Sequence, residues 1–139
     1  MRKQFTFTVL TAGFAALLGS LTLSAQDKQE VADIPFAFHA NTRVLPAGKY
    51  RVQQQNTSGL FQLFDAQGHS LFVPAPDMRK GDPAKPKLTF ACYGSECLLS
   101  QISMAGDDIV YAVTPSTLDK ELTRKVGIAA LVSVRLTPQ

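Results

Sequence analysis

An antiparallel sandwich, or a small and partly closed barrel, of seven or eight short strands with one short helix is the fold this sequence predicts. Three observations predict it. Apolar and polar residues alternate with period two through most of the chain after residue 33, clusters of Gly, Pro and Asn break the alternation into short runs, and a single stretch, 117–125, carries helix start and stop signals. No internal repeat and no second domain is apparent.

A leader precedes these elements. Arg2 and Lys3 are followed by an uncharged, mostly apolar run from Gln4 to Leu23 and then by Ser24 and Ala25. A basic start, an apolar middle and small residues at the cut are what export machinery reads, with cleavage expected before Gln26. The reading is therefore a signal peptide over 1–25 and one β-rich domain over 26–139, delivered to the periplasm or secreted. The alternative is an uncleaved leader that anchors the protein in the membrane. Threonines and glycines interrupt the run, which favours cleavage, because a spanning helix wants about 20 solidly apolar residues. No cysteine stands near the cut to accept a lipid.

Removing 25 of the 139 residues leaves 114, enough to bury one modest core. The charge balance also changes. Arg2 and Lys3 are two of the 14 basic residues, so the domain keeps 12 against 11 acidic groups, a net charge of +1. That removes the electrostatic argument for nucleic acid.

The first expected strand is Ile34-Pro35-Phe36-Ala37-Phe38, whose apolar members alternate. Turn chemistry over 41–48 leads to Lys49–Gln53, with Tyr50 and Val52 on one side, and the two strands are expected to form a hairpin. Leu60–Phe64 and His69–Val73, joined by Asp65-Ala66-Gln67-Gly68, form a second. From Pro74 to Pro86 four prolines and Gly81 predict a long exposed loop. Arg79, Lys80, Lys85 and Lys87 make this segment basic and a candidate binding loop, against the plainer reading of a solvated connection.

Lys87–Cys92 and Cys97–Met104 form a third hairpin around Gly94-Ser95. Counting outward places Tyr93 opposite Glu96 and Cys92 opposite Cys97, and directly opposed residues lie within reach of a disulfide. An even cysteine count and an oxidising destination favour that bridge. The same register sets Phe90 opposite Leu99 and Leu88 opposite Gln101, which leaves Leu98, Ile102 and Met104 on the reverse face. Either a bulge reverses the alternation after Leu99, or the helix covers the second face.

A strand over Gly106–Thr114 ends at Pro115. Ser116 is the expected N-cap, Leu118 and Leu122 stack at i and i+4, and Gly127 stops the helix. The last strand, Ile128–Leu136, is apolar enough to predict a place inside the sheet.

The segments Ile34-Pro35-Phe36-Ala37-Phe38 and Leu45-Pro46-Ala47-Gly48-Lys49-Tyr50-Arg51-Val52 resemble the opening of small exported proteins numerous in acidobacterial-type bacteria. Phe90, Tyr93-Gly94, Leu99-Ser100-Gln101-Ile102 and Glu121-Leu122-Thr123-Arg124-Lys125 extend the resemblance over most of the domain. It implies export and a β-rich fold, and names no activity. That family tends to carry an arginine and an aromatic where Cys92 and Cys97 stand, so the cysteine pair is local to this chain.

Chemistry-bearing motifs are sparse. His39 and His69 sit on strand flanks without ligand spacing, and Asp107-Asp108 lacks the further oxygen ligands of a calcium loop. Four residues separate Cys92 from Cys97, unlike the Cys-x-x-Cys arrangement that lowers a thiol pKa. The sequence therefore predicts no catalytic residue, no metal and no cofactor. Two function classes remain. One is a non-catalytic exported module that binds an envelope protein, a glycan or a small apolar ligand. The other is a small periplasmic enzyme or ligand-binding barrel whose site is assembled from loops.

Overall fold

The computed structural model describes residues 29–139, so the leader and its cleavage point lie outside the described residues. Two sheets pack face to face. Sheet A contains, in spatial order, β12 (Thr137–Pro138), β1 (Gln29–Ile34), β4 (Gly48–Gln54), β5 (Leu60–Phe64) and β6 (Ser70–Pro74). Sheet B contains β11 (Ala130–Arg135), β8 (Lys87–Tyr93), β9 (Glu96–Ser103), β10 (Ile109–Ala112) and β7 (Asp77–Lys80). The small hairpin of β2 (Phe38–Ala40) and β3 (Arg43–Leu45) joins sheet B through β9. Neither sheet closes on itself, so of the two expected architectures the sandwich is the one formed.

Alternation explains the core. Tyr50 and Val52 of β4, Phe61 and Leu63 of β5, and Leu88 and Phe90 of β8 are buried between the sheets. Phe90 meets Phe38 and Phe36 edge-on, with ring centroids 5.3 and 5.0 Å apart, geometry that suits the ring quadrupoles. Phe61 meets Tyr111 in the same way at 5.0 Å.

Four expectations need correction. First, Ile34–Phe38 is not one strand. Ile34 ends β1 in sheet A, Pro35-Phe36-Ala37 crosses the sandwich, and Phe38 opens β2 in sheet B. Proline has no N–H for a ladder, so the crossing falls there. β1 still pairs with β4, Ile34 against Gly48, but the β2–β3 hairpin is inserted in the connection.

Second, 74–86 is not all loop. Asp77–Lys80 pairs with β10 as an exposed edge strand, its prolines confined to the flanks. Third, Leu88 lies opposite Ile102, not Gln101, because the register shifts at Thr89/Phe90 and leaves Ser100 as an extra residue. This bulge keeps Leu99 and Ile102 on the core face although they are three positions apart. The disulfide lies within the register counted from the turn: Cys92 and Cys97 are opposed, with Cα atoms 4.0 Å apart.

Fourth, the last strand is an edge. β11 pairs with β8 on one side only, and of the alternating set expected inward, Ile128, Ala130, Val132, Val134 and Leu136, the last is fully buried, Val132 and Val134 are half-buried against the core, and Ala130 and Ile128 are exposed. The chain then leaves sheet B, and β12 pairs with β1 in sheet A.

Helix α1 (Thr117–Val126) matches its signals closely. The Ser116 side chain accepts the Asp119 amide at 3.2 Å, and the Gly127 amide donates to the Thr123 carbonyl. It covers the outer face of β8 and β9, where Ala91, Tyr93 and Leu98 pack against Leu118 and Leu122. Both remedies offered for the two-faced hairpin are thus present, the bulge and the covering helix.

Candidate functional site

The outer edge of β9 is shared. Its first half meets β2 through the parallel pairing of His39 with Leu98, and its second half meets β10, Gln101 against Ala112. Between the two partners stands the bulged Ser100, whose carbonyl accepts the Val113 amide at 2.8 Å. Because β2 and β10 take up successive parts of this edge of β9, sheet B branches here. The split opens a groove of about 520 Å³.

Its floor is Leu98, Leu99, Ser100 and Gln101. One wall is the β2–β3 hairpin, through His39, Asn41 and Thr42. Asn41 takes the left-handed φ of 57° that a tight turn needs, and its side-chain amide donates to the Phe72 carbonyl, tying the hairpin to the edge of sheet A. The other wall is Asp77 and Arg79 of β7 with Ala112 of β10. The helix N-terminus closes one end with Ser116, Thr117 and Asp119.

The crossover that carries β6 into β7 is fixed by Gly59. The Ala75 amide donates to the Gly59 carbonyl at 2.6 Å, and a Cβ on Gly59, at φ +93°, would lie 2.1 Å from the Ala75 oxygen. No other residue type fits there without moving the Pro74 and Asp77 side of the groove.

The basic residues singled out in the sequence do not converge. Arg79 lines the groove. Lys80, next along β7, points to the opposite face, Lys85 lies in the exposed turn before β8, and Lys87 begins β8 opposite Ser103 and Arg135. Cys92 and Cys97 are bonded to each other and belong to the core.

His39 gains a place that sequence reading missed. Its Nε2 lies 2.5 Å from Glu96 Oε2, with the imidazole on the groove wall. No short-range pattern links residues 57 positions apart, and the pairing depends on the parallel β2–β9 contact. His69 lies elsewhere, exposed, with Nδ1 3.1 Å from Asp65. Desolvation pushes the Asp65 carboxyl up, but the His69 amide and ring and the Gln67 amide outweigh it and hold the group below its usual range. Asp107 accepts the Ile109 amide and the Tyr111 hydroxyl, so it organises its own turn.

The groove thus offers donors and acceptors on apolar ground: Arg79, Asn41 and Gln101 can donate, Asp77 and the hydroxyls can accept, and Leu98 and Pro74 supply contact area. No Phe, Tyr or Trp ring lines it among the described residues. Comparison with models of known families, with curated proteins and with solved structures finds no match to this chain.

Proposed function

We propose that the protein is an exported, non-catalytic β-domain that acts as a binding module of the cell envelope, and that the groove at the split of sheet B receives its partner. The observation that carries this reading is the groove itself: an open, mixed polar and apolar recess built on rigid strands. Its walls are too polar for a small apolar ligand, and they lack the broad Phe, Tyr or Trp face on which a sugar ring would stack. An extended segment of an envelope protein suits it better, since such a segment brings backbone donors and acceptors together with side chains. The basic leader, the chargeless run after it and the small residues before Gln26 support the exported location, and the resemblance to small exported acidobacterial-type proteins points the same way.

A second reading, a small periplasmic enzyme, rests on one observation. His39 stands on the groove wall with a carboxylate on its Nε2, an arrangement that orients an imidazole for proton transfer.

Native mass spectrometry of the protein from its own envelope fraction comes first. A mass beginning at Gln26, two hydrogens light, is expected from cleavage and the disulfide. A displayed library of random peptides should then yield binders whose NMR shift changes centre on Asn41, Gln101 and Thr117, and Arg79→Glu should change their affinity about tenfold. Turnover of a chromogenic ester or glycoside panel that His39→Ala abolishes would establish the second reading. Binders that map away from the groove would end the first.

A further inference from the structure

The outer face of sheet A carries a pattern of its own. Gln29 of β1, Gln53 of β4 and Gln62 of β5 stand opposite one another, and the row continues to Phe72 of β6. Their neighbours along the strands, Glu30, Val52, Phe61 and Val73, are buried, so the row itself faces outward. Strands lie about 4.8 Å apart, which makes the row about 14 Å long. At its end the Phe72 side chain is 50% exposed. An adjacent row sets Arg51 opposite Phe64, with the guanidinium carbon 4.3 Å from the ring centroid. Helix α1 lies on the other sheet, and among the described residues no helix covers this face.

The chemistry of these rows selects an occupant. A carboxamide holds a donor and an acceptor side by side and carries no charge, a pattern that neighbouring hydroxyls on a sugar ring match. Gln55 Nε2 donates to Gln62 Oε1 at 3.1 Å, which holds one carboxamide of the row in place. The exposed Phe72 ring supplies apolar area for the C–H face of a pyranose. Charge argues against a polyanion. Lys49 lies opposite Asp33, which leaves Arg51 as the unbalanced cation on this part of the face, too little for a phosphate backbone. A second copy stacked here would press the carboxamides and Arg51 against their own kind and desolvate them without partners.

We propose that the outer face of sheet A binds an uncharged glycan laid along the row from Phe72 towards Gln29. A pyranose ring stacks on Phe72, and hydroxyls of the following units bond to the carboxamides of Gln62 and Gln53. The site is separate from the groove of sheet B and does not depend on what that groove receives.

The test is affinity electrophoresis of the protein as isolated from its host, in gels containing hydroxyethyl cellulose, arabinoxylan, galactomannan or dextran. At least one of these should retard it, and calorimetry with that polysaccharide should give an affinity that salt leaves unchanged. Phe72→Ala should weaken binding at least about tenfold, and Gln53→Ala with Gln62→Ala about tenfold together. Arg79→Glu, in the groove, should leave it as in the parent. Thermal unfolding should show each variant folded, since these side chains lie on the surface. Free migration through all four gels would overturn the proposal, as would retention that survives Phe72→Ala in the folded variant. So would salt-sensitive binding of an oligothymidylate at this face, or a dimer that Phe72→Ala dissociates in analytical ultracentrifugation.

Discussion

The two edges of sheet B meet the same problem differently. β7 presents Asp77, Met78, Arg79 and Lys80, four exposed residues of which three are charged. β11 presents Ala130, Leu131, Val132, Ser133 and Val134 before its first charge at Arg135. A free strand edge is a template for further pairing, and charge is the usual protection against it. β7 has that protection. β11 lacks it along most of its length: Val132 and Val134 turn to the core, and Leu131 lies exposed on the outer face beside the helix.

The largest way to break this comparison is to remove what β11 rests on. Phe90 lies opposite Val132, is fully buried, and makes edge-on contacts with Phe36 and Phe38. Phe90→Ala should cost about 3–5 kcal/mol in denaturant unfolding. Hydrogen exchange should then show β11 losing protection well before β7, and equal loss at both edges would mean that β11 does not depend on this contact.

Cutting the disulfide is the next largest change. Cys92 and Cys97 fasten the turn end of the β8–β9 hairpin, which holds β11 on one side and β10 with β7 on the other. Closing so short a loop stabilises by about 2 kcal/mol. Replacing both residues by serine should therefore leave the fold intact with a loss of that order. An unfolded double variant at room temperature would show that the bridge does more than fix register.

A smaller effect separates the edges through the helix. The Tyr93 hydroxyl donates to Asp119 at 2.8 Å and lies 2.9 Å from the Thr123 hydroxyl, linking β8 to α1. Tyr93→Phe should cost about 1 kcal/mol and expose β11 amides without affecting β7. The Thr123 hydroxyl draws the phenol's pKa down, but the Asp119 carboxylate and partial burial outweigh it and raise the pKa above its ordinary 10.0. Above pH 10 the unfolded chain therefore holds fewer phenol protons than the folded one, and stability falls as pH rises. The gap between parent and Tyr93→Phe should narrow in that range, and a constant gap would contradict the raised pKa.

The smallest effect sharpens the comparison directly. Leu131→Ser on one edge and Met78→Ser on the other should each change stability by less than about 0.5 kcal/mol, since both side chains are exposed.

What was legible in the sequence was local. The β5–β6 and β8–β9 hairpins follow from turns of a few residues, and α1 from Ser116 and Gly127, because each signal lies within a few positions of what it controls. The crossing at Pro35 was hidden because the alternation of Ile34, Phe36 and Phe38 continues through it, and Phe36 meets Phe90 on the way between sheets. β7 was hidden by its flanking prolines. The groove was the least legible feature, since it exists where β2 and β10 share β9, and residues 39, 79, 100 and 116 carry no common pattern. Arg79 was found for its charge, and its place on the wall depends on pairing with β10. For β11, apolar sequence was read as a place inside the sheet; Val132, Val134 and Leu136 do turn to the core, but the strand is an edge and leaves Ile128, Ala130 and Leu131 exposed.

The pairing of β12 with β1 also sets an order in time. The Thr137 hydroxyl donates to the Val31 carbonyl from 106 positions away, and the backbones of 137–138 and 30–31 are matched. While the chain is still being made, the first strand waits with one flank open until nearly every other strand exists. A nascent chain stalled before residue 137 would carry an unfinished sheet A and would be a natural client for a chaperone that holds extended strands.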